Sequence, residues 1–198
     1  MKKVLGVFLF ICFTSTENAS AVGVDSIGNY NELPGVHALS TNAPWAVSDV
    51  EIESFLGIDS GSLDGVIGGD AIEGSALKGS FDIVEGQVFS FDWYWSTTES
   101  FEESKWNDFA FVSLSLADIS IVADTFTGTG TTGKFTWKAL GAGTLNYGIG
   151  VMDVFDPFTE SSVNISNIQV QTVPVPGAIW LFMTGFWGVV GIRQLSKN

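Results

Sequence analysis

From about residue 77 to residue 170, apolar and polar positions alternate with a period of two, in short runs separated by turn residues. Leu77, Phe81 and Ile83 alternate with Lys78, Ser80 and Asp82, and Glu85-Gly86 supplies a turn. Phe89, Phe91, Trp93 and Trp95 then alternate with Val88, Ser90, Asp92 and Tyr94. Successive side chains of a strand point to opposite faces, so this stretch reads as strand, tight turn and strand, with four large aromatics on one face. An apolar stretch from Asp108 to Leu116 and a shorter one near Ile119 to Ala123 follow, then Phe135 to Trp137, the alternating Leu145, Tyr147, Ile149 and Val151, and a last strand with Val163, Ile165, Ile168 and Val170. Short strands with frequent turn signals predict an all-β sandwich, jelly-roll-like, of about eight strands. One helix interrupts the pattern. Ser48 and Glu51 have capping-box spacing, Ile52, Phe55 and Leu56 share a helical face, and Gly57 is placed to stop it, which predicts a short helix over 49–56. Residues 22–44 show little periodicity and read as an irregular lead-in, and Asp59 to Gly74 reads as a loop dense in Gly and Asp.

The two ends of the chain carry a different pattern. Lys2 and Lys3 precede an apolar run from Val4 to Phe13, then a polar stretch ending in Ala19-Ser20-Ala21. That is the layout of a secretory signal peptide over residues 1–21, with Ala19 and Ala21 flanking a cleavage point after Ala21. The only cysteine, Cys12, lies inside the apolar run, and Ile11 stands before it where a lipoprotein acylation site needs a small residue. The domain over 22–172 then has no cysteine, and an exported domain without disulfides depends on core packing, with a metal as possible help.

The other end, residues 173–198, has three parts in order: a proline step Val173-Pro174-Val175-Pro176-Gly177, an uncharged run from Ala178 to Ile192, and a tail with Arg193 and Lys197. From Val173 the apolar run is 20 residues long, which at about 1.5 Å per residue reaches about 30 Å, the thickness of a bilayer core. A transmembrane helix over about 177–192 is the expectation. Trp180 and Trp187 suit interfacial depths, Gly185, Gly188 and Gly191 leave a smooth strip, and the terminal cations favour a cytoplasmic C-terminus.

This order of proline motif, Trp180-Leu181-Phe182, Gly-rich apolar run and basic residues resembles the C-terminal sorting signal of PEP-CTERM proteins, in the variant where VPLPA replaces the Pro-Glu-Pro triplet. The resemblance implies a processing partner, an exosortase, which is a membrane cysteine transpeptidase thought to cut near the proline motif. Pro174 and Pro176 match the recognition motif, Ala178 to Ile192 the membrane helix, and Arg193 and Lys197 the basic tail. Val175 and Gly177 stand where the variant usually has Leu and Ala. More loosely, Gly79 to Gly86, Phe89 to Trp93 and Asn107 to Val112 look like the extracellular β-sandwich found upstream of such anchors, with Gly150 to Asp156 matching a late Gly-x-x-Asp loop. No common activity comes with that resemblance; the setting it implies is extracellular polysaccharide or biofilm.

Charge narrows the partners. The chain carries Lys+Arg 8 against Asp+Glu 22, a formal net charge of −14, and only Lys78, Lys105, Lys134 and Lys138 fall within 22–172. Such a domain repels nucleic acid and anionic lipid. His37 is the sole histidine, so His-based triads and thiol chemistry have almost no material, and the chain reads as no enzyme. Glu102 with Glu103, or Asp153 with Asp156, are the carboxylate pairs left for a secreted glycan hydrolase. Calcium is a hypothesis resting on two acidic loops, Asp59, Asp64, Asp70 and Glu73 in one and Asp153, Asp156 and Glu160 in the other, neither with EF-hand spacing. For sugar binding, Trp93 and Trp95 share the face of Phe89 and Phe91 and read as core, which leaves Tyr94 and Trp106 as stacking candidates. Three roles stay open: a structural or adhesive protein of the cell surface, a carbohydrate-binding module, and a hydrolase.

Overall fold

The computed structural model describes residues 19–20, 23–42, 44–99, 106–155 and 158–172. Most of the signal-peptide stretch, Ala21, Glu102, Glu103 and Asp156 lie outside the described residues, as does the whole sorting segment with Val173, Pro174, Val175, Pro176, Gly177, Arg193 and Lys197. Among the described residues no helix is long and apolar enough to cross a membrane.

In chain order the elements are β1 (Ala19–Ser20), β2 (Asp25–Ile27), β3 (Asn29–Leu33), β4 (Val36–Ser40), β5 (Val47–Ser48), α1 (Asp49–Leu56), α2 (Ser62–Ile67), β6 (Ala71–Ile83), β7 (Gln87–Thr97), β8 (Phe109–Leu114), β9 (Ala117–Asp124), β10 (Thr131–Lys138), β11 (Gly143–Val154) and β12 (Ser161–Thr172). They form two antiparallel sheets. The first runs β10-β7-β12-β4-β3 with β1 against β12, and the second runs β2-β6-β11-β8-β9 with β5 against β6. The molecule is therefore mostly β, consistent with an all-β sandwich. Its described part holds twelve strands and two α-helices, where the sequence pattern predicts about eight and one.

The alternation seen in the sequence sorts side chains between two cores. Phe89, Phe91, Trp95, Val163 and Ile165 of the first sheet meet Leu77, Val112, Tyr147 and Ile149 of the second. Aromatic rings cross that interface, with the Phe89 and Tyr147 centroids 5.1 Å apart, and burial pushes the Tyr147 phenol up to about 12. The opposite face of the second sheet is covered as well: Phe109, Phe111, Met152 and Val154 pack with Ile52 of α1 and Leu63 of α2. β8 is buried on both faces as a result, which is why Phe109 to Val112 reads as an unbroken apolar run instead of an alternating one.

Helix α1 starts and stops where the sequence says. Ser48 accepts from the Glu51 amide at 3.4 Å and the Glu51 carboxylate accepts from the Ser48 amide at 3.1 Å, while Gly57 ends the helix at φ 72. Three expectations need correction. The Gly/Asp stretch is not all loop, since it contains α2 and the start of β6. The lead-in is not irregular, since β2, β3 and β4 lie in it; Gly28 and Gly35 make the bends between them with φ 82 and 76. The stretch Gly150 to Asp156 is not simply a loop, because β11 continues to Val154.

β12 runs centrally in the first sheet and ends at Thr172, directly before the proline step. Ala19 and Ser20, expected on the removed side of the signal cleavage, pair with Val170 and Gln169 of that strand.

Candidate functional site

The outward face of the first sheet carries mostly small polar residues. Facing outward are Asp92, Tyr94 and Ser96 of β7, flanked by Thr132, Lys134 and Thr136 of β10 and by Ser162, Asn164 and Ser166 of β12, while Ser90 of the same row is buried. Tyr94 is the large aromatic there, 40% exposed. It stands opposite Thr132 on one side and Asn164 on the other. A concavity of about 550 Å³ opens beside it, lined among others by Asp92, Tyr94, Lys134, Asn164 and Ser166.

Asp92 is the organised charge of this face. Lys134 Nζ donates to Oδ1 at 3.0 Å and Asn167 Nδ2 donates to Oδ2 at 2.7 Å. The Asn167 amide first, and then Lys134, hold the Asp92 carboxyl below its ordinary range. Asn167 reaches Asp92 from a β-bulge: the register of β12 against β7 shifts between Ser166 and Gln169, and Asn167 sits at φ 54. Only one other non-glycine among the described residues, Phe155, has positive φ.

No protein-family model matches this chain, and no curated protein matches it. Its chemistry must be read from its own geometry.

The second feature is a polar plug at the end of the inter-sheet core, where β12 begins. Asp108 and Asp153 are 1% and 0% exposed, and Thr41, Thr97 and Ser161 are buried with them. Asp108 accepts from the Val154 amide at 3.1 Å and from the Ser161 hydroxyl at 2.6 Å. Ser161 Oγ also lies 2.8 Å from Thr97 Oγ1. Thr41 accepts from the Ser161 amide at 3.0 Å and donates back to its carbonyl at 3.4 Å. Neither Asp153 oxygen has a hydrogen-bond partner among the described residues, and neither does Oε1 of Glu73, its cross-strand neighbour on β6. A buried carboxylate with no donor and another acid beside it cannot stay ionised at ordinary cost. Burial first and then the adjacent Asp108 push Asp153 far above the carboxylate range, with the Thr41 hydroxyl opposing and Glu73 adding to the rise.

The sequence candidates end up in different places. Tyr94 lies open on the first sheet, whereas Trp106 is half-buried ahead of β8, with its carbonyl accepting from Thr125, and does not line the concavity beside Tyr94. Trp95 is fully buried and Trp93 packs partly against the core, as their shared face with Phe89 predicts. Asp153 and Glu160 of the second acidic loop are not brought together, one being sealed inside and the other exposed. In the first acidic loop, Asp64 caps the Ala71 amide at 2.9 Å. Among the described residues no group of three or more His, Cys, Asp or Glu is placed to hold a metal. His37 stacks on Tyr30, with Nδ1 2.8 Å from the hydroxyl. The sequence reading missed Asp92 and Asn167. The bulge behind them leaves a trace only as Ser166-Asn167-Ile168, where the alternation of β12 skips a beat.

Proposed function

We propose that this is an exported protein whose sandwich domain is displayed at the cell surface or within an extracellular polysaccharide matrix, in a structural or adhesive role, after sorting through its C-terminal signal. The observation that supports this reading is the placement of the two ends of the domain. β12 ends at Thr172, one residue before the sorting step, and β1 lies against Gln169 and Val170 of the same strand. Ala19 and Thr172 therefore lie at one pole of the domain, and the loops around Thr41, Asp108 and Ser161 occupy the other. A domain tethered this way turns its far pole toward the surroundings. Cleavage after Ala21 removes β1 and leaves Gln169 and Val170 paired on the β7 side alone. The partners in this reading are an exosortase-type processing enzyme, the membrane before processing, and extracellular polysaccharide.

Intact mass spectrometry of the protein recovered from native envelope and medium tests the reading. The expected mass begins at Val22 and lacks the residues beyond Val173–Gly177. A mass that runs through to Asn198 overturns the exosortase assignment and leaves a permanent anchor.

A carbohydrate-binding module is the second reading. It is favoured by Tyr94, an exposed aromatic set beside the Asp92–Lys134 ion pair and the uncharged Thr132, Asn164 and Ser166 on an open sheet face.

A further inference from the structure

We propose that the outer face of the first sheet binds a neutral polysaccharide chain, with Tyr94 as the stacking platform and Asp92, fixed by Asn167 and Lys134, as the acceptor for sugar hydroxyls. The proposal rests on the carbohydrate-binding reading above and assigns that reading its residues and ligand class.

The bulge in β12 carries the inference. A central strand gains most from an unbroken ladder, and an interruption there leaves a residue unpaired. Asn167 also occupies the left-handed region, which asparagine enters more readily than other side-chain-bearing residues. What this arrangement achieves is to aim one side-chain amide at Asp92 Oδ2, 2.7 Å away. The fold gains little stability from the contact, because the Asp92 and Lys134 side chains are 37% and 48% accessible and exposed ion pairs contribute little. Two donors nevertheless fix the carboxylate at one orientation. An ionised carboxylate offers about four acceptor positions, so those not used by Asn167 and Lys134 point to the concavity and the solvent. A preset acceptor beside an exposed aromatic is suited to a ligand with one apolar face and a rim of hydroxyls, which describes a pyranose ring.

Charge selects the class. A chain at −14 repels polyanions, the Asp92 and Lys134 charges offset each other, and Thr132, Asn164 and Ser166 around them are uncharged. The concavity of about 550 Å³ is open along the sheet and lies in the size range of small-ligand sites, about 300–1,000 Å³. An uncharged hexose polymer fits these conditions, and a uronic-acid polymer does not.

The test uses the full secreted protein in affinity electrophoresis and sedimentation with three neutral probes (cellulose, a soluble mixed-linkage glucan and galactomannan) and one anionic probe, alginate. Three variants are compared with the wild type: Tyr94→Ala, Asp92→Asn and Asn167→Gly. Glycine accepts the left-handed backbone without strain, so Asn167→Gly keeps the bulge and the melting temperature while removing only the amide. The expected result is retention on at least one neutral probe, weakened about tenfold by Tyr94→Ala and severalfold by Asn167→Gly and Asp92→Asn, with Tm unchanged. Retention that all three variants keep overturns this site while leaving the carbohydrate reading intact, with the sugar bound elsewhere. No retention on any of the four probes overturns both, and retention on alginate alone overturns this neutral-glycan site while leaving the carbohydrate reading intact.

Discussion

Replacing Asp153 by Asn should stabilise the protein at neutral pH and remove a pH dependence that the wild type shows. Asp153 is fully buried, has no donor on either oxygen, and faces Asp108 and Glu73. Of the described lysines, Lys78 is held by the Phe55 carbonyl at 2.7 Å, Lys134 pairs with Asp92, and Lys138 sits at the far end of β10 opposite Val88. The folded protein therefore keeps a proton on Asp153, whose value is pushed up to about 9, mainly by burial and then by Asp108. The unfolded chain releases that proton near its ordinary value of about 3.9. Between those limits the native state binds more protons, so stability falls as pH rises. The contribution is fully present below about pH 4 and fully lost above the folded value. Each pH unit costs about 1.4 kcal/mol, so holding the proton at pH 7 costs up to about 4 kcal/mol. Asparagine has nearly the same shape, can donate to Asp108 without binding a proton, and can turn its second N–H toward the empty Glu73 oxygen. Urea unfolding at pH 5, 7 and 8.5 should show Asp153→Asn more stable than wild type by about 2–4 kcal/mol at pH 7, with the gap widening as pH rises. Parallel pH profiles for the two proteins would refute this account. A calcium-dependent rise in Tm that Asp153→Asn abolishes would assign the paired acids to a cation instead.

Two further substitutions probe the parts of the fold that position the sheets. Gly150→Ala places a Cβ 2.5 Å from the Phe111 ring and 2.9 Å from the Ser75 carbonyl, and it should cost about 1–3 kcal/mol by overpacking the helix-covered core; a midpoint unchanged in denaturant would show that β11 and Phe111 can part freely. Ser48→Ala removes both hydroxyl contacts of the α1 cap and should lower stability by about 1 kcal/mol, a loss that Ser48→Asp should largely restore in thermal unfolding.

What could be read from the sequence follows the range of the interaction. The α1 boundaries were readable because both caps are local: Ser48 reaches Glu51, and Gly57 needs only its own φ. The β6–β7 turn and the inward row Phe89, Phe91 and Trp95 were readable because period two needs no partner strand to be recognised. Helix α2 was hidden because its cap comes from elsewhere. The buried Glu53 of α1 accepts from the Gly61 and Leu63 amides, both at 2.9 Å, and the stretch Asp59-Ser60-Gly61-Ser62-Leu63 gives no local sign of that. The lead-in strands were hidden because β2 and β3 are edge strands with mostly polar or exposed positions, so pairing with β6 and β4 shapes them more than pattern does. Of the candidate site, Tyr94 was readable from its parity against the aromatic row. Asp92 was not, because its importance comes from Asn167, 75 residues away in sequence.

The position of β12 also bears on mechanics. Along most of its length it is hydrogen-bonded to β7, and over its first half also to β4. A pull transmitted through Thr172 runs lengthwise down a strand clamped between neighbours. The hydrogen bonds on its flanks are then loaded together in shear and cannot be peeled one at a time, as they would be in an edge strand pulled sideways. A load applied by a ligand across Tyr94 and Asp92 enters the adjacent strand, β7, and crosses to β12 through that same ladder. Single-molecule pulling from the C-terminal end of the domain should meet its main resistance at the β7–β12 seam.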